Sequence, residues 1–180
     1  MNPWELAAYE SYDDETMDSN PSRFGVFHSS LYAPSQFNIM DIMAQIYGRP
    51  NKQVELGPVD DKCGIILCDL KQPDEPIVYA SPSFLKATGY DLADVLGLNC
   101  RFLQAPGGDV QPKSPRKYVD KDTVKKIRKA VDKNQELQIE VVNFKKNGRR
   151  FINCLTIIPI SWDCPGEFNY SVGFMCAKKP

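Results

Sequence analysis

Hydrophobic side chains recur at helical spacing in one segment near the N-terminus. Between Gln36 and Tyr47, apolar residues follow one another at steps of three and four. They are Ile39, Met40, Ile42, Met43, Ile46 and Tyr47. This spacing places them on one face of an amphipathic α-helix, and Gly48 and Pro50 end it. Because the helix precedes the main body of the chain, we expect its apolar face to dock on that body or on a partner.

Two short apolar runs then predict a β-hairpin. The runs are Gly64–Asp69 and Ile77–Ala80, and Pro73 and Pro76 mark the turn between them. Residues 51–62, which precede the first run, have the polar composition that is typical of a linker.

Cap residues predict two short helices after the hairpin. Ser81 followed by Pro82 is typical of a helix start, and Gly89 marks the end of that helix. Asp91 begins a second brief helix, which Gly97 stops. We expect this succession of short helices to enclose a concave region.

A loop rich in proline and glycine follows. Residues 105–118 contain three Pro and two Gly, and long loops inside compact domains are usually functional. A helix from Asp122 to about Lys133 comes next. Its inner face consists of Val124, Ile127, Ala130 and Val131.

Three further strands complete the pattern. They span residues 136–146, 149–160 and 167–176, and the pair Asn147-Gly148 between the first two is a strong hairpin signal. The order of elements predicts an α+β domain, in which a five-stranded antiparallel sheet carries short helices on one face.

Length and charge restrict the class of protein. The 180 residues include 22 Lys and Arg against 23 Asp and Glu, which argues against a domain built to bind nucleic acid. No apolar run approaches the roughly 20 residues that cross a bilayer, and no signal-peptide pattern is present. We therefore expect an intracellular protein without a membrane partner, located in the cytoplasm, the nucleus or both.

Composition also suggests three segments. Residues 1–30 carry six acidic groups and one Arg, so we expect an acidic, mobile tail. Residues 31–62 are expected to form an N-terminal cap, with a helix at about 36–47 and a linker. Residues 63–177 are expected to form the main domain.

The cysteines do not form a metal-binding motif. They are Cys63, Cys68, Cys100, Cys154, Cys164 and Cys176. No C-x-x-C pair occurs and His28 is the single histidine, so we expect no zinc site and find little support for a hydrolase triad. Cys63, Cys68 and Cys154 lie in apolar runs, where a cysteine usually acts as a small buried hydrophobe.

Two asparagines interrupt apolar strand faces. Alternation places Asn143 beside Leu137, Ile139 and Val141, and Asn153 beside the apolar residues of the next strand. A buried carboxamide needs hydrogen-bond partners, so the pair could bind the edge of a planar heterocycle, or both amides could be satisfied by backbone or water. Small residues on the last strand would leave room for a flat ligand. They are Ser171 and Gly173, on the same face as Met175.

One motif carries a family resemblance. Residues 97–104, Gly-Leu-Asn-Cys-Arg-Phe-Leu-Gln, resemble the G-x-N-C-R-F-L-Q signature of LOV domains, the flavin-binding blue-light sensors of the PAS superfamily. Residues 142–144 and 151–153 are similar to the two LOV asparagine strands. The flanking segments resemble fungal photoreceptors of the Vivid/Envoy type. These segments are residues 31–34, 53–60, 116–120 and 141–148.

The resemblance implies a role for each matching residue. Cys100 matches the photoactive cysteine, which forms a reversible cysteinyl-C4a adduct with the flavin after blue-light absorption. Asn99 and Gln104 match residues near the flavin ribityl chain and ring. Asn143 and Asn153 match the pair that bonds the pyrimidine edge.

The kind of flavin is also indicated by the resemblance. Arg101 matches the arginine that holds the flavin phosphate, as its fork of donors suits. The Vivid type carries a loop like residues 105–118 and holds FAD, with Arg116, Lys113 or Lys117 available for the added phosphate. This implies FAD, with FMN as the alternative.

Met175 departs from the family pattern. LOV domains usually carry Gln in a G-x-Q pattern on the last strand, where this chain has Gly173-Phe174-Met175. That Gln responds to flavin N5 protonation, and a thioether cannot donate a hydrogen bond. We expect Cys100 chemistry to survive and the signal to change.

The function implied by the resemblance is blue-light reception without enzymatic turnover. The signal would rearrange the N-terminal cap and alter dimerisation or binding to a related LOV subunit of a transcription complex, and so modulate light-responsive transcription and photoadaptation. Three alternatives remain. A flavoenzyme is disfavoured, because no nicotinamide-binding G-x-G-x-x-G motif follows a strand and no general base is apparent. The others are a flavin-containing sensor of oxidative stress that uses Cys164 or Cys176 for an intermolecular disulfide, and a ligand-free PAS interaction module.

Overall fold

The centre of the molecule is an antiparallel β-sheet. The computed structural model describes residues 37–162 and 164–178, and its five strands lie in the order β2-β1-β5-β4-β3. The strands are β1 (Gly64–Asp69), β2 (Ile77–Ala80), β3 (Leu137–Phe144), β4 (Arg150–Ile160) and β5 (Tyr170–Ala177). The predicted sheet is therefore confirmed. Strand β5 is central, because it pairs with both β1 and β4.

Helices cover both faces of the sheet. They are α1 (Ile39–Gly48), α2 (Pro82–Thr88), α3 (Leu92–Val95), a 3-10 helix (Cys100–Gln104) and α4 (Lys121–Asp132). The helices that follow β2 lie together on one face, as predicted, and α1 packs against the opposite face. The sheet thus separates α1 from the other helices.

Side-chain caps fix the start of the helices. Asn38 accepts hydrogen bonds from the N–H groups of Met40 and Asp41, so α1 begins at Ile39, after the predicted start. Ser81 caps α2 as predicted, and Gly89 ends it with a left-handed backbone at φ 78°.

Helix α1 buries one side of its apolar face. Ile42 and Ile46 are 1% and 0% exposed, and they share a buried cluster with Phe174 of β5. The predicted docking on the body of the chain is therefore confirmed for these residues. Met40 and Tyr47 belong to the same apolar pattern but remain exposed.

The hairpin between β3 and β4 differs in detail from the prediction. The N–H of Lys145 donates to the carbonyl of Arg149 at 2.9 Å, and Gly148 has a φ of 79°. A three-residue loop closed by a left-handed glycine therefore joins the strands, rather than a two-residue Asn-Gly turn. Strand β5 begins at Tyr170, later than the predicted residue 167.

Two of the predicted segments reach beyond the described residues. The acidic stretch 1–30, with His28, lies outside them, as does the start of the predicted cap. The division of the chain at residues 30 and 62 stays a prediction. Within residues 37–162 and 164–178, no helix has the length and apolar character needed to cross a bilayer.

Candidate functional site

A cavity of about 380 Å³ lies between the sheet and the helices that follow β2. Its volume is within the range of roughly 300–1,000 Å³ that is typical of small-molecule sites. One wall is the sheet face that carries Asn143 and Asn153, and this wall includes Val141, Leu155, Ile157, Ser171, Gly173 and Met175. The opposite wall includes the 3-10 helix and three half-buried apolar side chains of α4: Val124, Ile127 and Val131.

All of the site residues predicted from the sequence line this one cavity. They are Asn99, Cys100, Arg101, Gln104, Arg116, Asn143, Asn153 and Met175. Lys113 also reaches the cavity, whereas Lys117 is exposed and is not among its lining residues. The fold therefore brings together residues from the 3-10 helix, the 105–118 loop and three strands.

The two asparagines are buried side by side on adjacent strands. Asn143 and Asn153 are 4% and 2% exposed. Asn153 Nδ2 donates to Asn143 Oδ1 at 2.9 Å, and Asn143 Nδ2 donates to the carbonyl of Val142 at 2.9 Å. Asn153 Oδ1 is buried and finds no hydrogen-bond partner among the described residues. This oxygen can accept a hydrogen bond from a ligand in the cavity.

Cys100 begins the 3-10 helix at the edge of the cavity. Asn99 caps the helix by accepting a hydrogen bond from the N–H of Arg101 at 3.0 Å. The Cys100 sulfur lies 3.2 Å from the sulfur of Cys68, a buried residue of β1. The hydrogen bond with Cys100 and burial raise the pKa of Cys68 well above its ordinary value, so Cys68 is a protonated thiol. Cys100 is less buried and lines the cavity.

Charged side chains of both signs line the remaining part of the cavity, its charged end. Arg101 forms an ion pair with Asp74. Arg116 Nε donates to Gln104 Oε1 at 3.0 Å, which ties the loop to the 3-10 helix. Burial, and then the charges of Arg101 and Arg128, lower the pKa of Arg116. This crowding of guanidinium groups would be relieved by an anion such as a phosphate.

Sequence reasoning missed part of this charged end. Asp74, Glu75, Arg128 and Asp132 also line the cavity. Burial, and then the charges of Asp132 and Asp74, raise the pKa of Glu75. These residues lie in the turn before β2 and on α4, and neither segment carries a recognisable motif. The predicted apolar face of α4 indicated only that this helix packs on the domain.

Met175 lies in an apolar part of the wall. It is 3% exposed and belongs to the buried cluster that includes Ile66 and Phe84. Met175 packs against Gly64, its pairing partner in β1, where no room is left for a side chain on residue 64. A Cβ at residue 64 would stand 2.9 Å from Phe84 Cα and 3.1 Å from Met175 Cε. The thioether is therefore closely packed.

Comparison with known proteins identifies the family. A family model described as PAS domain matches residues 62–175. Blue light receptor lreA of Aspergillus flavus is 40% identical over 147 residues, which are 82% of this chain and 17% of that protein. White collar 1 protein of Neurospora crassa is 38% identical over 157 residues, which are 87% of this chain and 13% of that protein.

One solved structure matches this chain over nearly all of its own length. The light-state dimer of the fungal blue-light photoreceptor Vivid is 63% identical, with a TM-score of 0.77, and the match covers 82% of this chain and 99% of that chain. The chain belongs to the LOV blue-light photoreceptors of the Vivid type, within the PAS family. This LOV protein spans less than a fifth of each of the two curated relatives.

LOV photoreceptors bind a flavin, and the cavity of this LOV protein fits one. The unpaired Asn153 Oδ1 matches the N–H group on the edge of a flavin pyrimidine ring. The arginines at the other end match a phosphate. Between them, apolar side chains of the sheet and α4 can enclose a flat ring.

Proposed function

We propose that this protein senses blue light with a flavin held in the cavity and with Cys100 as the reacting thiol. The proposal is carried by the buried Asn153 Oδ1, which no described residue satisfies, on a cavity that Cys100 also lines. Leaving such an acceptor unpaired costs about 1–3 kcal/mol. The N–H group of a flavin edge supplies the missing donor.

Each group of residues around the cavity has a separate role in this proposal. A bound flavin supplies blue-light absorption and an electrophilic ring carbon, C4a. Asn143 and Asn153 would orient the ring through its polar edge, and Cys100 would supply the reacting sulfur. Cys68, held protonated 3.2 Å away, restrains that sulfur. Because a reversible bond from the Cys100 sulfur would consume no substrate, the proposed role is that of a switch and not of an enzyme.

We infer that the flavin is FAD. Arg101 of the 3-10 helix and Lys113 and Arg116 of the 105–118 loop all line the charged end of the cavity. FMN carries one phosphate, whereas FAD adds a second phosphate and an adenosine. Three cations that line one cavity can pair with more than one phosphate, which favours the longer cofactor.

The output is a change in the contacts of the N-terminal cap. Helix α1 packs on the sheet face opposite the cavity, in a cluster with residues of β1, β4 and β5, and Met40 and Tyr47 leave part of its apolar face exposed. A light-driven movement of α1 would alter dimerisation. The Vivid light-state dimer and the match to White collar 1 suggest the partners: a second copy, or a LOV subunit of a transcription complex. We propose a cytoplasmic or nuclear role in light-responsive transcription and photoadaptation.

The decisive test is absorption before and after blue light. Purified protein supplied with FAD is expected to be yellow, to bleach under blue light and to recover in darkness. Cys100→Ala is expected to retain flavin but to lose bleaching completely, because the thiol supplies the bond and the remaining wall supplies the binding. Flavin content after gel filtration and absorption spectra measure both properties.

Cys164→Ala is the matched control, because Cys164 is exposed and does not line the cavity. It is expected to bleach and recover like the parent chain. A colourless protein after flavin supplementation would contradict the proposal. Reversible bleaching that persists in Cys100→Ala would show that another residue reacts.

A further inference from the structure

Two cysteines meet on the sheet face that is turned away from the cavity. The sulfur of Cys176, on β5, lies 3.2 Å from the sulfur of Cys63, the residue that precedes β1. Both thiols are reduced in this structure. The proposed photochemistry uses neither of them, and the contact joins segments that are 113 residues apart.

Strand register brings this pair close to disulfide geometry. Strands β1 and β5 are antiparallel, and Gly64 is paired with Met175, so Cys63 and Cys176 stand opposite each other one position further along. Directly opposed residues in antiparallel strands have Cα atoms about 4.5–5.5 Å apart. Disulfides span Cα distances of about 4.4–6.8 Å, so a bond between these sulfurs needs only a small movement of the side chains.

The two thiols differ in access to solvent. Cys176 is exposed, whereas Cys63 is 6% exposed and packs in the cluster that contains Ile42 and Ile46 of α1. Burial, followed by the contact with Cys176, raises the pKa of Cys63 to about 12. Cys176 is therefore the thiol that meets a dissolved oxidant, and Cys63 is the one that resolves the product.

We propose that Cys63 and Cys176 form a redox-modification site. A peroxide oxidises the two thiols to an intramolecular disulfide, which ties the end of the linker after α1 to β5. Cys154 is paired with Cys176 across β4 and β5, but the short sulfur contact selects Cys63. The effect of the disulfide on the light response rests on the proposed function, whereas its formation does not.

The chemistry balances with hydrogen peroxide as the oxidant. The Cys176 thiolate attacks one peroxide oxygen, the O–O bond breaks, and the released hydroxide takes up the proton that the thiol lost, giving one water and a sulfenic acid. The Cys63 sulfur then attacks Cys176 Sγ, the S–O bond breaks, and hydroxide leaves with the Cys63 proton as a second water. Two thiols have lost two electrons and two protons, and a dithiol reductant reverses the change.

A disulfide between Cys63 and Cys176 would restrain the linker after α1, which has to move if light displaces the cap. Cys63 directly follows the linker between α1 and β1, and its N–H donates to the carbonyl of Asp60 at 3.1 Å. Cys176 follows Met175, which lines the cavity. A disulfide here would fix the end of the cap linker to the strand that passes the site.

The test uses the full chain, purified in darkness and treated with hydrogen peroxide. Peptide mapping without reductant is expected to find Cys63 joined to Cys176 in the parent chain and in Cys154→Ser, and to find no such bond in Cys176→Ser. Trypsin cleavage after Lys52 and Lys62, which are exposed linker residues, is expected to slow several-fold on oxidation in darkness. Dithiothreitol is expected to restore it.

Light responses complete the test. Oxidised parent chain is expected to keep reversible bleaching but to lose its light-driven shift in gel filtration, whereas peroxide-treated Cys176→Ser keeps both. The proposal would be overturned if peroxide produced a Cys154–Cys176 bond, an intermolecular bond, or oxidised cysteines without a bond. It would also be overturned if the Cys63–Cys176 bond formed but changed neither the cleavage of the linker nor the light-driven shift. If the reduced chain did not bleach, only the proposed photoreception would be contradicted. The disulfide would still be tested, because peptide mapping and the cleavage assay in darkness need no light.

Discussion

Met175 replaces a hydrogen-bonding group with a packing group at the cavity wall. The side chain is 3% exposed and lies in the same cluster as Ile66 and Phe84. A thioether is only a weak acceptor and cannot donate, so with a flavin bound as proposed it could not exchange hydrogen-bond roles with a ring nitrogen that gains a proton. Any signal that passes this position in the present chain must therefore depend on packing.

We expect Met175→Gln to enlarge the light response. A carboxamide can accept a hydrogen bond in one state and donate in the other, so light would reverse the direction of a buried hydrogen bond worth about 1 kcal/mol. The expected result is a larger light–dark difference in gel filtration and in protease cleavage of residues 49–62, with little change in bleaching. Met175→Leu is the control, because it keeps an apolar side chain of similar volume and should respond like the parent chain. Equal responses of all three proteins would show that the signal does not pass this position.

Some site residues could be predicted individually and others could not. Asn143 and Asn153 were predictable because strand alternation alone places an amide on an apolar face. The contact of Cys68 with Cys100 was not, because a cysteine in an apolar run gives no sign of its partner across the fold. Arg128 was missed for the same reason: an arginine on an amphipathic helix has an ordinary solvent-facing interpretation until tertiary packing brings it to the cavity.

Strand β5 is the element that joins the cavity to the cap. Gly173 and Met175 face the cavity, and Phe174 between them packs in the cluster of α1. Because side chains alternate along a strand, a shift of β5 that follows a change at Met175 also moves Phe174. The period of two residues therefore gives one strand a side-chain contact with each face of the sheet.

The loop of residues 105–118 is expected to select the flavin. Deleting residues 106–116 removes Lys113 and Arg116, the cations that extend the charged end of the cavity. We expect the bound cofactor to shift from FAD towards FMN, because the contacts of FMN with Arg101 and the sheet remain. Mass spectrometry of the flavin released from protein purified with both cofactors present measures the ratio.

Two point variants separate charge from length. Arg116→Gln keeps the loop but removes a guanidinium, so we expect a partial shift towards FMN. Lys117→Gln is the matched control, since Lys117 is exposed and is absent from the lining of the cavity. An unchanged FAD share in the deletion variant would refute a role of the loop in cofactor choice.

Elements with local signals were predicted more closely than their arrangement. Strand β1 begins and ends where predicted, because Gly64 and Asp69 bound a short apolar run. The start of α1 was misplaced, because its cap, Asn38, lies within the predicted helix. The placement of β5 between β1 and β4 depends on pairings between distant segments, which no local pattern encodes.

At the scale of the whole molecule, one charged contact fastens the cap to the domain. Arg49 follows α1, and its Nη2 donates to Glu136 Oε2 at 3.0 Å, while the side chains of both residues are only 11% exposed. The same carboxylate accepts hydrogen bonds from the N–H groups of Gln53 and Val54, at 3.0 and 2.8 Å. Because Glu136 directly precedes β3, it binds both the end of α1 and the linker to the sheet.

The charge on Glu136 is stabilised by this contact. Burial alone would raise the pKa of Glu136, but hydrogen bonds from Arg49 and from the linker N–H groups outweigh it, and the pKa lies below its ordinary value. A depressed pKa in the folded state means that the contact stabilises the docked cap above the unfolded-state pKa of about 4.3. This stabilisation is lost as the pH falls through the folded-state value.

We therefore expect Glu136→Gln to loosen the cap in darkness at neutral pH. The variant leaves the largely buried Arg49 side chain without a counter-charge, and hydrogen bonds to charged groups are worth about 1.5–3 kcal/mol, so trypsin cleavage in residues 49–62 should rise by an order of magnitude or more. The parent chain should reach a similar state only as the pH falls below the unfolded-state pKa of about 4.3, in an acid-active protease assay, and the variant should lack this acid transition. Glu140→Gln is the matched control, because Glu140 lies on β3 in an exposed pair with Lys178. Equal cleavage of both variants would mean that the contact between Arg49 and Glu136 does not hold the cap.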